Sequence, residues 1–240
     1  MFNTLLALHI AGGSAALTSM WIPLIAKKGG KAHRRAGWVF VAGMTVVSLT
    51  ALGLAGWRLL YDPRPGARNF AVFLIYIALL SGASVSSGIR VLRAKRRTTA
   101  HRHPWDIGLP ALLTIASVLI AAFGVRTGQG LFAAFSLIGL FNGINDLRYW
   151  LRPPTSPMHW WFAHMSGMLG GCIAALTAFM VVNAGSLGLW PLAAWLGPSM
   201  VLGPISAIWT NYYRRKWGQY AGPRSTALMN NKIVDSVNAR

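Results

Sequence analysis

PPTSPMHWWFAHMSGMLGGCIAALTAFMVVNAGSLGLWPLAAWLGPSMVLGPISAIWTNYY (residues 153–213) is the longest stretch of this chain without lysine, arginine, aspartate or glutamate. A helix crosses the hydrocarbon core of a bilayer with about 20 mostly apolar residues, so this stretch must fold back on itself. Its centre, Asn183-Ala-Gly-Ser-Leu-Gly-Leu189, reads as the turn, and Trp190-Pro191 as the opening of the next helix. Working outward, residues 1–26, 36–57, 69–89, 107–125 and 127–145 are free of the same four residue types. The prediction is an all-α fold: a polytopic membrane helix bundle with seven transmembrane helices. They are placed at about 3–26, 36–59, 69–91, 106–125, 130–150, 157–182 and 190–213. Together they form one domain over 1–216, followed by a flexible cytoplasmic tail over 217–240. The fifth span is the least regular, because Asn142, Asn145 and Asp146 occupy its second half.

Composition agrees. Hydrophobic residues make up 54% of the chain and charged residues only 11%. A soluble domain carries roughly 25% charged residues, so hydrocarbon is the natural solvent here. The 11 tryptophans fit the interfacial belt of a membrane protein. The formal net charge of +19 does not point to nucleic acid, because the basic residues sit in short clusters between apolar runs. They read as topology determinants and as contacts to anionic lipid. The single cysteine, Cys172, lies in an apolar run and reads as an inert buried thiol. Nothing basic precedes the first apolar stretch, which is too long for the core of a signal peptide, so it is expected to stay as the first helix.

The loops alternate in charge. Lys27 to Arg35, Arg90 to Arg102, Arg148 with Arg152, and the residues from Arg214 onward hold nineteen of the 23 lysines and arginines. The opposite side has Arg58, Arg64, Arg68 and Arg126. Positive charge is retained in the cytoplasm, which predicts the N-terminus outside, the C-terminus inside, and a multi-pass protein of the bacterial inner membrane.

Ionisable residues within spans are costly and mark functional sites. His33, His101, His103, His159, His164, Asp106 and Asp146 all fall toward the predicted cytoplasmic side, and only His9 lies toward the outer half. If the helices pack together, a polar pocket opens inward. Asn142, Asp146 and Tyr149 follow an i, i+4, i+7 pattern and share one helix face, with Asn145 adjacent. His159 and His164 are separated by roughly 140° around their helix, so they do not chelate one ion as an i, i+4 pair would. His101 and His103 read as part of a lipid-facing basic loop. His9 precedes Gly12-Gly13 by one turn, which leaves room for a flat macrocycle such as haem. Its depth differs from that of His164 by about 10 Å, which argues against both ligating one haem. Pro198 and Pro204 are expected to kink or break the last span.

Several mechanisms drop out. The last span has no lysine for a retinal Schiff base, and the chain has no glutamate for a di-carboxylate metal site or a zinc-protease helix. There is no phosphate-binding loop and no dinucleotide fingerprint.

Leu8-His9-Ile10-Ala11-Gly12-Gly13 is followed by Lys28-Gly29-Gly30-Lys31-Ala32-His33-Arg34-Arg35-Ala36-Gly37. Further on, His164-Met165-Ser166-Gly167-Met168 runs into Ala175-Leu176-Thr177-Ala178-Phe179. These elements resemble an uncharacterised bacterial "predicted membrane protein" family, the domain of unknown function numbered, in words, twenty-three hundred and six. The resemblance covers most of the chain. It implies the membrane fold and singles out His9, His33, Arg34 and His164, without implying an activity. The chain lacks the basic residue that would suit position 166 or 167 in relatives.

Two functions are weighed first. One is a redox protein in which His9, His33, His159 and His164 hold haem b, or His33 and His164 hold a transition metal. The other is a small-solute or proton-coupled transporter whose pocket is built from Arg34, Asn142, Asn145, Asp146, His33 and His164. A non-enzymatic accessory or sensory role is the third. Expected partners are the bilayer with its anionic lipids and a second copy or another membrane subunit, and not nucleic acid.

Overall fold

The computed structural model describes residues 1–218. The tail expected beyond that point lies outside the described residues. Among the described residues every regular element is helical: α1 (Phe2–Ser19), α2 (Trp21–Ile25), α3 (Lys31–Tyr61), α4 (Ala67–Arg90), α5 (Pro104–Arg126), α6 (Gly130–Leu151), α7 (His159–Val182) and α8 (Pro191–Gly218), with a 3-10 turn at Val91–Arg93. Seven helical segments are long and apolar enough to cross a membrane, α1 and α2 together forming the first. Their outward faces stay apolar, as Leu49, Leu119, Phe141 and Ile208 show, each more than 60% exposed.

The segment bounds follow from local chemistry. Pro23 has no N–H to return to the Ser19 carbonyl, and the helix breaks at Met20 between α1 and α2. The second span, expected to open at residue 36, instead begins at Lys31: Lys31, Arg34 and Arg35 form its first turn, because Gly30 is extended and caps α3. Neither Pro198 nor Pro204 ends α8, which continues as helix through both.

The chain divides into two compact units, Met1–Gly197 and the residues from Pro198 onward. In the first, α4 is central and touches α3, α5, α6 and α7. Small residues set the close crossings, as expected where hydrocarbon gives no hydrophobic drive between helices. A Cβ on Gly43 of α3 would stand 2.6 Å from the Gly12 carbonyl oxygen of α1. A Cβ on Gly167 of α7 would stand 2.6 Å from the Ser84 carbonyl oxygen and 2.7 Å from Gly88 Cα of α4. One core lies between α4, α5 and α6, where Phe73 stacks on Phe132 with ring centroids 4.4 Å apart and Tyr76 hydrogen-bonds Ser117 and the Phe135 carbonyl. Trp195, at the start of α8, packs on the same aromatics. A second core joins Ala16, Met20, Phe40, Met44 and Val85, with Met168 and Cys172 against it. The second unit, as far as Gly218, is helical, and Ser206 and Thr210 donate their hydroxyls back to the carbonyls one turn earlier.

Candidate functional site

The α2–α3, α4–α5 and α6–α7 connections meet at one end of the first unit. The His101 backbone N–H donates to the Trp150 carbonyl at 2.9 Å, and the His33 and His164 rings lie 6.3 Å apart, centroid to centroid. Four polar centres occupy this end.

The first is built on Asp106. His103 caps α5, its Nδ1 accepting the Trp105 N–H, and Pro104 takes the first helical position, where a missing N–H costs nothing. Asp106 therefore sits in the first turn, where the helix dipole favours a carboxylate. The Arg90 guanidinium, from the last turn of α4, donates to both Asp106 oxygens, and the Nη2 contact is 3.0 Å. His101 Nε2 donates to the same carboxylate at 3.0 Å. The Asp106 side chain is only 4% exposed, whereas His101 and His103 are 40% and 54% exposed. Their rings are near-parallel, as an alternating extended segment would place them. His103 Nδ1 is committed to the Trp105 N–H and to Arg90 Nη2, and His101 to Asp106, so this pair caps and bridges. The lipid-facing reading of this segment is thus corrected for His101, which faces Asp106 and Trp150.

The second centre is Asp146. It lines a crevice of about 10 Å³ together with Ser86, Ser87, Arg90, Asp106 and Trp150. That is the volume of about one water molecule. Pro110 lines the same crevice, and as a proline it returns no hydrogen bond to the Asp106 carbonyl one turn before it. Ser87 is the hydrogen-bonding neighbour of the Asp146 carboxylate. Asp62 is held by Arg58 and Arg64, and Asp106 by Arg90; among the described residues no ion pair reaches Asp146. Asn142 and Asn145 are half-buried on the same helix and make no side-chain hydrogen bond among the described residues.

The third centre is Arg97. Its guanidinium donates to the carbonyls of Tyr149 at 2.7 Å and Arg152 at 2.9 Å, and lies over the Tyr149 ring at 4.7 Å. Tyr149 in turn hydrogen-bonds His159 Nδ1 at 2.8 Å. The buried Arg97 Nε and His159 Nε2 have no hydrogen-bond partner among the described residues.

The fourth is the His33–His164 pair. His33 Nδ1 meets the Pro23 carbonyl at 3.2 Å, and His164 Nδ1 meets the Gly88 carbonyl at 2.7 Å. A carbonyl only accepts, so each Nδ1 carries the proton and each Nε2 keeps its lone pair.

The structure brings His33, His164, His159 and Asp146 to one end; Arg34, next to His33 in the first turn of α3, lies at that end too, but His9 does not. His9 hydrogen-bonds Thr50 at 3.0 Å. Thr50 lies seventeen residues beyond His33 on α3, about 26 Å along the axis. The depth difference estimated from sequence was too small, and one haem cannot span His9 and His164. Arg34 is exposed and lines an open surface groove with Lys31, Arg35 and Trp38, away from the pocket. Among the described residues no group of three or more His, Cys, Asp or Glu could hold a metal ion, so the four-histidine site expected from sequence does not form. Arg90, which holds Asp106, was read from sequence only as part of a basic loop. The available signal was an acid in the first turn of one span, directly across a loop from a base in the last turn of the span before.

At the opposite end, Arg64 hydrogen-bonds Asp62 and holds its carboxyl down at about 2, against its ordinary 3.8. Back at the polar end, Lys28 donates to the Pro23 and Leu24 carbonyls, closing α2, and burial lowers its ammonium pKa.

No family model, no curated protein and no solved structure matches this chain.

Proposed function

We propose that this is a multi-pass protein of a bacterial inner membrane, N-terminus outside and C-terminus inside, that moves protons or a proton-coupled small solute through the polar centre around Asp146. The nineteen-to-four distribution of basic residues supports the orientation, since it places the end that gathers Arg90, Arg97, His33 and His164 in the cytoplasm.

The observation that carries the reading is that Asp146 has no arginine while its two described counterparts do. A carboxylate clamped by a guanidinium is held ionised; Asp146, beside Ser87 and a water-sized crevice, has no such clamp and can gain and lose a proton. In this reading protons reach Asp146 from the cytoplasmic end by way of water in the crevice it shares with Ser86, Ser87 and Trp150. Asn142, one turn deeper on the same face, continues the polar surface.

Proteoliposomes loaded with a pH-sensitive dye test this. Under an imposed proton gradient, the wild type collapses the gradient faster than protein-free vesicles, Asp146→Asn falls to the protein-free rate, and Asp146→Glu retains activity. Equal rates for wild type and Asp146→Asn would refute the proposal.

A further inference from the structure

We infer that His33 and His164, with Met168, form a binding site for a soft monovalent metal ion of the copper(I) type. Both rings have Nδ1 tied to a backbone carbonyl, Pro23 for one and Gly88 for the other. This is the outer hydrogen bond that orients a metal-ligating imidazole and leaves Nε2 to bind. Two rings ligating one ion from opposite sides, with metal–nitrogen bonds of about 2.0–2.1 Å, stand about 6 Å apart between centroids. The observed separation is 6.3 Å.

The third ligand assigned is Met168, one helical turn along α7 from His164. Met168 follows His164 at i+4, and both reach Gly88: the Met168 Cε end occupies the space a Gly88 Cβ would need, and His164 bonds the Gly88 carbonyl. Met168 and Cys172 both pack against the core cluster that holds Met20 and Met44. Imidazole binds copper as well as zinc, and a soft thioether completing the set tilts it toward copper(I). Charge points the same way. No carboxylate belongs to this set, and Lys95 is close enough to act electrostatically on His164. Such surroundings favour a monovalent ion over zinc or copper(II). The site is separate from the Asp146 crevice and stands or falls independently of the proton reading.

The test is an anaerobic titration of the detergent-purified full chain with copper(I), against a chromogenic copper(I) chelator. The expected result is one tightly held ion per chain. His33→Ala and His164→Ala each weaken it at least tenfold, Met168→Leu weakens it less, and Asp146→Asn leaves it unchanged. X-ray absorption of the copper(I)-loaded wild type keeps the test independent of how the variants fold, and should show two imidazole nitrogens and one sulfur. A wild type that holds no more copper(I) than the His33→Ala/His164→Ala double variant, a spectrum without imidazole scattering, or tighter binding of zinc than of copper(I) would each overturn the assignment.

Discussion

Replacing Asp106 with Asn removes the charge that Arg90 and His101 share while leaving the guanidinium in place. Breaking a buried pair from one side costs about 3–5 kcal/mol when the site is fully dry, and less here because Arg90 keeps some contact with water. A loss of about 2–3 kcal/mol is expected, read as an earlier unfolding midpoint in a denaturing-detergent titration; Asp146→Asn, which strands no cation, should shift that midpoint by much less. Asp62 gives a pH signature. Its folded pKa, about 2, lies below the ordinary carboxylate value, so its contribution is present above about pH 4 and disappears as pH falls through about 2. The difference in unfolding midpoint between wild type and Asp62→Asn should be constant near neutrality and close up across that window. A difference that grows as pH falls would contradict the assignment of Arg64 as its partner. At this scale, sequence periodicity alone placed Asn142, Asp146 and Tyr149 on one face. It could not reveal that Arg90 belongs to Asp106, because that pairing joins two helices and leaves no periodic trace.

The helices pack where side chains are missing. A Cβ at Gly167 would collide with the backbone of α4, which cannot swing aside as a flexible side chain can. Gly167→Ala is therefore expected to destabilise by about 1–3 kcal/mol, and to draw His164 away from the Gly88 carbonyl. Gly108, in α5, has open space around its Cβ position, and Gly108→Ala should be neutral or slightly stabilising. Thermal melts of the two purified variants make the comparison; equal losses would mean that the α4–α7 crossing is looser than described. Span existence was legible from charge-free length, since each apolar run appears as a helix. Span ends were less legible. The first turn of α3 absorbs Lys31 and Arg34 into the helix, because a basic side chain can reach past the apolar core to water while its backbone stays helical.

Across the whole molecule, the distribution of charge and the geometry support one arrangement. The loops that carry most of the basic residues are those that converge on Asp106, Asp146 and the His33–His164 pair. The sequence marked this end by its histidines and acids; His9, also a candidate cofactor ligand but set at a different depth, lies against Thr50 far from that end. Everything proposed for the polar centre requires its end of the bundle to face the cytoplasm. The most direct measurement is labelling by a membrane-impermeant maleimide on intact bacteria expressing single-cysteine variants in a Cys172→Ala background. Thr98→Cys and Ser156→Cys, at the basic end, should be protected until the cells are permeabilised, and Thr127→Cys and Ser186→Cys should label at once. Labelling of Thr98→Cys and Ser156→Cys on intact cells, with protection of the other two, would place the polar centre on the outside and contradict the account.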